Sequence, residues 1–320
     1  MYNAGENDLQ RYRMDFVLKE VKEVTEDKEN LTVKFLLEPD PRRYEWKEID
    51  GKKCLFDKLD NSMIPLEVLT KATRNMKGLP IYYQPSKISD AEAYVESRIV
   101  KIKDELKGTF PLPTFEDKSE EFLGSLKGDQ LGFVILSLDI VGSTKLSTGL
   151  DPKKYKHLIE MVLYELSEII PLFNGYVLKY TGDGIIAYFP EPSFVLKHDL
   201  AIDCALTFRR LVYNVLNTIL KEESFPTIDI RIGLDSGNAY IATVGSHQAK
   251  QHKDIIGSIV NLAAKIQQNA KPSSINIGQT TYENLHTSWR LLCKQVPLPA
   301  GWEFKNSNGV LYRIYEFNLK

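Results

Sequence analysis

Two apolar, β-branched runs in this chain each meet an aspartate inside a glycine-bearing turn, and no other feature narrows the fold as far. The first is Phe133-Val134-Ile135-Leu136-Ser137-Leu138-Asp139-Ile140-Val141-Gly142-Ser143-Thr144. The second is Tyr176-Val177-Leu178-Lys179-Tyr180-Thr181-Gly182-Asp183-Gly184-Ile185-Ile186-Ala187-Tyr188-Phe189. Runs of this kind read as buried strands. A carboxylate at the edge of a buried strand is costly unless something pairs with it, and a divalent cation is a natural partner. One such aspartate alone reads as a turn or cap residue. Two in matching settings read as a pair.

Around these runs the periodicities alternate. A strand over 132–139 leads to a helix over about 152–170, whose buried stripe is Leu158, Ile159, Val162, Leu163, Leu166 and Ile169. Two short strands, 175–180 and 184–189, are joined through Thr181-Gly182-Asp183-Gly184, and Asp-Gly between apolar runs is a strong hairpin signal. A long helix over 198–221, a strand over 227–234 and a hairpin-like stretch over 236–256 follow. A helix over 259–270 and strands near 274–277 and 310–317 complete the chain. The opening order, strand–helix–strand–strand–helix–strand, predicts a ferredoxin-like βαββαβ fold of the α+β class. In that order the strands bearing Asp139 and Asp183 can be neighbours, with both carboxylates at one sheet edge. Two carboxylates there repel unless a cation lies between them, and Mg²⁺ or Mn²⁺ relieves that. Gly142-Ser143-Thr144, directly after the first aspartate, offers backbone N–H groups that can cradle phosphate oxygens ahead of a helix.

The stretch before residue 126 has a different character. It contains a strand candidate at Leu31–Leu37 with a turn at Glu38-Pro39-Asp40-Pro41, a helix from Pro65 to Met76 stopped by Gly78, and a helix from the Ser89-Asp90 cap to Lys107. The segment Gly108–Phe115 is proline-punctuated, and 116–130 is charged, with a short helix at Ser119–Leu126. The expected division is a smaller N-terminal α/β module with its linker over 1–125, serving packing, dimerisation or regulation, and a main domain over 126–320. The net charge of −2 gives no broad basic field for nucleic acid or anionic lipid. Cys54, Cys204 and Cys293 form no metal-type cluster and suggest reduced thiols. The polar N-terminus gives no expectation of a signal peptide, and no apolar run reaches membrane-spanning length. A cytoplasmic protein without a membrane or nucleic-acid partner is expected.

Four segments in order resemble the class III nucleotidyl cyclases, over about residues 130–318. Leu138–Thr144 resembles their metal-binding opening strand and Lys179–Asp183 their second metal hairpin. Arg231-Ile232-Gly233-Leu234-Asp235-Ser236-Gly237 resembles the strand that supplies a phosphate-binding arginine, and Asp254–Lys265 the base-and-transition-state segment. The resemblance implies that Asp139, Asp183 and the Ile140 carbonyl hold two Mg²⁺ or Mn²⁺ ions per site. It implies that Asn261 orients the ribose, with a helix N-terminal residue as its plain reading. Lys265 stands where the family usually has arginine; it keeps the charge on the α-phosphate but loses the planar fork, and its plain reading is a solvated helix lysine. Arg231 reads either as the phosphate contact or as a surface ion pair with Asp229. Lys305 is a candidate for the terminal phosphate.

Lys179 and Asp254 fall at the family's base-reading positions and resemble the adenine-reading pair. Lysine can donate to a ring nitrogen and aspartate can accept from an exocyclic amine. Cytosine presents the same pattern as adenine, so both ATP and CTP remain open, with Tyr180 and Tyr240 either narrowing the cleft or lying in the core. The resemblance therefore implies an enzyme converting a nucleoside triphosphate to a 3′,5′-cyclic monophosphate and pyrophosphate, working as a head-to-tail homodimer. One alternative is a pyrimidine cyclase making cyclic CMP or cyclic UMP in Pycsar-type antiphage defence. Another is a degenerate, non-catalytic nucleotide-binding domain.

Overall fold

The computed structural model describes residues 13–26, 31–75, 85–108, 117–126, 130–190, 196–246 and 249–318. The N-terminal segment, the Gly78 stop and the proline-punctuated connector fall outside them. The chain divides into two compact units, Met1–Ile81 with Glu283–Leu291, and Tyr82–Tyr282 with Leu292–Lys320. This division puts residues 82–125 with the second unit, away from the N-terminal module of the sequence reading.

In the first unit β1 (Phe16–Glu26) and β2 (Leu31–Pro39) form an antiparallel ribbon, and β3 (Tyr44–Ile49), β4 (Lys52–Asp57) and β5 (Ser62–Pro65) form a three-stranded sheet, followed by α1 (Leu66–Asn75). The turn read at 38–41 is in part strand, since β2 runs through Pro39. No strand was legible over β1, because its apolar residues Leu18, Val21 and Val24 recur every third position. Two bulges, between Leu18 and Glu20 and between Val21 and Glu23, correct the register, so that Leu18 and Val21 sit opposite Leu37 and Phe35. Tyr44, Leu55 and Leu69 make a small core. Beside it lies a buried ion network. Asp15 accepts from Arg13 and from the Thr287 amide and hydroxyl, and Arg43 reaches Asp15, Asp57 and Asp60. Burial pushes the Asp15 carboxyl up, but the Thr287 hydrogen bond and Arg13 outweigh it and hold the group below the usual carboxylate value.

The second unit opens with α2 (Ala91–Ser97), α3 (Ile99–Lys107) and α4 (Lys118–Ser125). The single helix expected over 90–107 is interrupted at Arg98, whose guanidinium forms a bidentate pair with Glu165 at 2.6 and 2.8 Å. Next come β6 (Leu131–Val141), α5 (Ser143–Gly149), α6 (Pro152–Ile169), β7 (Tyr176–Tyr180), β8 (Gly184–Pro190), α7 (Leu196–Arg210), a π-turn segment, α8 (Asn217–Glu222), β9 (Asp229–Gly245), β10 (Gln251–Ile256), α9 (Ser258–Gln268), β11 (Ile275–Gly278), α10 (Gln279–Asn284), α11 (Thr287–Arg290, part of the first unit), β12 (Cys293–Val296) and β13 (Ile314–Phe317). The sheet order is β12-β13-β11-β9-β6-β8-β7, with β10 paired to β9. Its β9-β6-β8-β7 portion is the fourth-first-third-second arrangement of a ferredoxin-like βαββαβ unit, so the fold is α+β. β6 is buried on both faces because it is central. Phe133 and Ile135 on one face pack with Ile186, Tyr188, Ile255, Ile259, Ala263 and Leu123.

The strand expected over 227–234 runs on without a break into the first arm of the expected hairpin as one strand of 17 residues, β9, and β10 is the second arm, antiparallel to it from Gln251 opposite Gly245 to Ile256 opposite Tyr240. Among the described residues no helix is long and apolar enough to cross a membrane.

Candidate active site

Near the end of β6, Asp139 lies in register with Gly184 on one side and Arg231 on the other. Asp183 immediately precedes Gly184, in a turn where Gly182 has φ +82. A Cβ on Gly184 would lie 2.6 Å from the Leu138 carbonyl oxygen and 3.5 Å from Asp139 Oδ1. The missing side chain therefore lets the turn close against β6 and brings Asp183 beside Asp139 at one sheet edge. Asp183 has no hydrogen-bond or ion-pair partner among the described residues. Burial, and then the Asp183 charge, push the Tyr155 phenol above its usual value.

Arg231 shares this edge. Its Nη2 and Nε donate to Asp139 Oδ2 at 2.8 and 3.2 Å, and its Nη1 donates to the Gln268 carbonyl at 3.2 Å. The alternative partner, Asp229, instead accepts from Tyr213 Oη at 3.1 Å, so the ion-pair reading with Asp229 is corrected. The two residues share a face of β9, and register separates their partners, since Arg231 stands opposite Asp139 and Asp229 opposite Val141.

Among the described residues no group of three or more His, Cys, Asp or Glu side chains could hold a metal ion. The donor set at the edge is two carboxylates, with the Ile140 backbone carbonyl beside them. Such a set suits a hard cation of the Mg²⁺ type, which takes one or two protein carboxylates and completes its shell with substrate phosphates and water. Gly142, with φ +73, starts α5, and Ser143 and Thr144 are its first residues.

A second pair lies on β7 and β10. Lys179 Nζ donates to Asp254 Oδ2 at 2.6 Å, and Asp254 Oδ1 accepts from the Ile255 amide at 2.8 Å. Lys179 lies opposite Ile186, which in turn pairs with Ser137. Register thus puts Lys179 on the same sheet face as Asp139 and Arg231. Tyr180 and Tyr240 are about half exposed, at 51% and 52%, so neither is a core residue. Among the described residues no hydrogen bond or ion pair joins Lys179 or Asp254 to Asp139 or Arg231.

Helix α9 buries Ile259, Leu262, Ala263 and Ile266 and leaves Asn261 and Lys265 exposed, one turn apart. It can lie this close to β9 because residue 233 is glycine. A Cβ there would stand 2.3 Å from the Gln267 amide nitrogen and 2.5 Å from the Ala263 carbonyl oxygen. Lys265 Nζ donates to Gln268 Oε1 at 3.2 Å. A polar chain therefore runs Asp139, Arg231, Gln268, Lys265. Gln268 escaped the sequence reading, and only its position three residues after Lys265 marks it. Lys305 is exposed, in an isolated bridge with Leu311, and bonds to none of the other candidate residues among those described.

Residues 131–300, more than half of the chain, match the family model described as the adenylate and guanylate cyclase catalytic domain. A cytidylate cyclase from Escherichia coli is 29% identical over 163 residues, which is 48% of this chain and 35% of that protein. An adenylate cyclase from Anabaena cylindrica is 29% identical over 150 residues, which is 45% of this chain and 28% of that protein. The chain thus spans between 11% and 35% of the length of the first curated relatives it matches. The crystal structure of the adenylyl cyclase CyaB from P. aeruginosa superposes with a TM-score of 0.53, covering 60% of this chain and 96% of that one at 23% identity, a likeness of fold.

Proposed function

Because this chain belongs to the adenylate and guanylate cyclase catalytic-domain family, we propose that it converts a nucleoside triphosphate into its 3′,5′-cyclic monophosphate and pyrophosphate. The observation that carries this reading is the edge where Asp139, the Asp183 turn and Arg231 meet. The ribose 3′-oxygen attacks the α-phosphorus and forms the new P–O bond. The bond from that phosphorus to the bridging oxygen breaks, pyrophosphate leaves with the electron pair, and the hydroxyl proton passes to solvent. No covalent enzyme intermediate is needed, so the work is positioning and charge neutralisation. Asp139, Asp183 and the Ile140 carbonyl would hold two Mg²⁺ or Mn²⁺ ions, which when bound would acidify the 3′-hydroxyl and neutralise the triphosphate.

The remaining roles belong to the chain's own side chains. Arg231 exchanges its carboxylate partner for phosphate oxygens, and the Gly142-Ser143-Thr144 backbone and Lys305 hold the rest of the triphosphate. Asn261 orients the ribose, and Lys265 faces charge building on the α-phosphate. Lys179 donates to a ring nitrogen and Asp254 accepts from an exocyclic amine, which selects adenine or cytosine over bases bearing a carbonyl there. The Escherichia coli relative named a cytidylate cyclase supports CTP, and a pyrimidine product would suit a role in antiphage defence. Among the described residues no hydrogen bond or ion pair links the base-reading pair to the metal edge, and Asn261 is exposed, which supports a head-to-tail homodimer with two equivalent sites.

Incubation of the protein with each of the four triphosphates and Mn²⁺, followed by mass identification of products, tests the reading. Cyclic nucleotide from the wild type but not from Asp139→Asn is the expected result. No cyclic product from any of the four overturns it.

A further inference from the structure

Helix α4 lies before the matched family region, yet it touches both strands that carry the base-reading pair. Its Asp117 cap accepts from the Glu120 amide at 2.9 Å. From one face Phe122 stacks on Tyr176 of β7, with ring centroids 4.3 Å apart, and Tyr176 stacks in turn on Tyr188 at 5.4 Å. Ser119 Oγ and Tyr188 Oη share a hydrogen bond at 3.1 Å. Tyr176 is three residues before Lys179 on the same short strand.

On the other side, Glu120 Oε2 accepts from the backbone amide of Lys253 at 2.6 Å. Among the described residues β10 pairs only with β9. Among these residues its outer edge therefore has no neighbouring strand to receive its N–H groups, and such an edge presents unpaired backbone donors. A carboxylate accepting one of those N–H groups stands in for the missing strand, with a charge-assisted bond. The anchored residue is the one immediately before Asp254.

We infer that Glu120 is a positioning residue for base recognition, acting through the Lys253 amide to fix Asp254 against Lys179, with Phe122 holding the Lys179 strand from the same helix. This rests on the proposed reading of Lys179 and Asp254 as the base-reading pair. The ligand is the base of a nucleoside triphosphate, and Glu120 itself does not touch it.

The test uses the full chain as wild type, Glu120→Ala, Glu120→Gln, Asp254→Ala and the Glu120→Ala/Asp254→Ala double variant. Equilibrium binding of ATP, CTP, GTP and UTP with Mn²⁺ is measured beside kcat and KM. Loss of one anchoring hydrogen bond is expected to weaken binding of the preferred triphosphate and raise its KM by roughly 3- to 10-fold, with kcat nearly unchanged and base preference narrowed. Glu120→Gln keeps an acceptor oxygen and should behave as wild type. In the Asp254→Ala background Glu120→Ala should add nothing, since residues acting in series are not additive.

Wild-type KM and base preference in Glu120→Ala overturn the inference, as does a lowered melting temperature with KM unmoved. Additivity with Asp254→Ala also overturns it. Should Glu120→Ala not fold, Phe122→Leu keeps the apolar helix face, removes the stack and carries the same expectation. Turnover with an unaffected Glu120→Ala sinks only this inference. Triphosphate binding without cyclic product sinks the cyclase reading, and the binding series then decides Glu120. Absence of any triphosphate binding overturns both.

Discussion

Arg231 faces Asp139 across the β6–β9 ladder and gives two of its N–H groups, at 2.8 and 3.2 Å, to a single carboxylate oxygen. The pair is about 30% exposed on both sides, so its contribution to stability is small. Its meaning lies in placement, because the cation of the pair and the two carboxylates converge on one edge. Asp139→Asn and Asp183→Asn should each lower kcat by at least roughly 100-fold while the melting temperature stays near wild type. Arg231→Ala should raise the triphosphate KM more than it lowers kcat. Steady-state kinetics with Mn²⁺ check all three. A fully active Asp139→Asn would remove the edge from the mechanism.

The Lys179–Asp254 pair predicts a change of base preference. Asp254→Asn loses the ion pair and replaces one acceptor oxygen with a donor. Discrimination of ATP over GTP and of CTP over UTP should fall by about tenfold, the scale of one misplaced hydrogen bond at a base edge. Competition assays with paired triphosphates read this directly. Unchanged ratios would mean that the base is read elsewhere.

Gly233→Ala tests how α9 is seated. The new Cβ would meet main-chain atoms of Ala263 and Gln267, which cannot turn aside as a side chain can. A cost of about 1–3 kcal/mol is expected from forcing the helix outward. Asn261 and Lys265 travel with that helix, so kcat should fall as well. Chemical denaturation and single-turnover rates measure the two effects separately.

Asp235 predicts a pH dependence of stability. Burial pushes its carboxyl up from 3.8 to about 7, although Tyr312 donates to Oδ1 at 2.8 Å and backbone amides assist. The folded chain therefore holds this proton to higher pH than the unfolded chain does. The associated stability is complete below about pH 4 and is lost as pH rises through about 7. Burial also pushes Glu105 and Asp203 up to about 7, so they lean the wild-type curve the same way. Asp235→Asn stays neutral throughout, and its melting temperature relative to wild type should rise between pH 5 and pH 8. A constant difference across that range would show that Asp235 does not titrate there.

Much of the second unit was legible before any coordinates. The stripe on α6, the Asp-Gly hairpin and the apolar face of α9 are local signals with fixed periods, and each appears within a few residues of its expected place. Other elements were hidden for identifiable reasons. β1 keeps its apolar side chains together only through bulges, which a period of two does not reveal. β9 looked like two elements because Ser236-Gly237 reads as punctuation. In the fold, Gly237 is there because Ile259 packs against it, with a methyl carbon 2.7 Å from where a Cβ would stand. The break at Arg98 answers to Glu165, far along the chain, and leaves no local mark.

Amino-acid order alone decided most of the strands and helices of the second unit, and which acidic and basic groups sit at their ends, because those outcomes follow from neighbours a few positions away. Which group meets which was decided only when the strands took their register and the helices closed over them. Arg231 meets Asp139 rather than nearby Asp229 because strand register sets it directly opposite Asp139 and leaves Asp229 opposite Val141. Glu120 found the Lys253 amide across 133 positions, at an unpaired edge that exists only once β10 has folded back on β9.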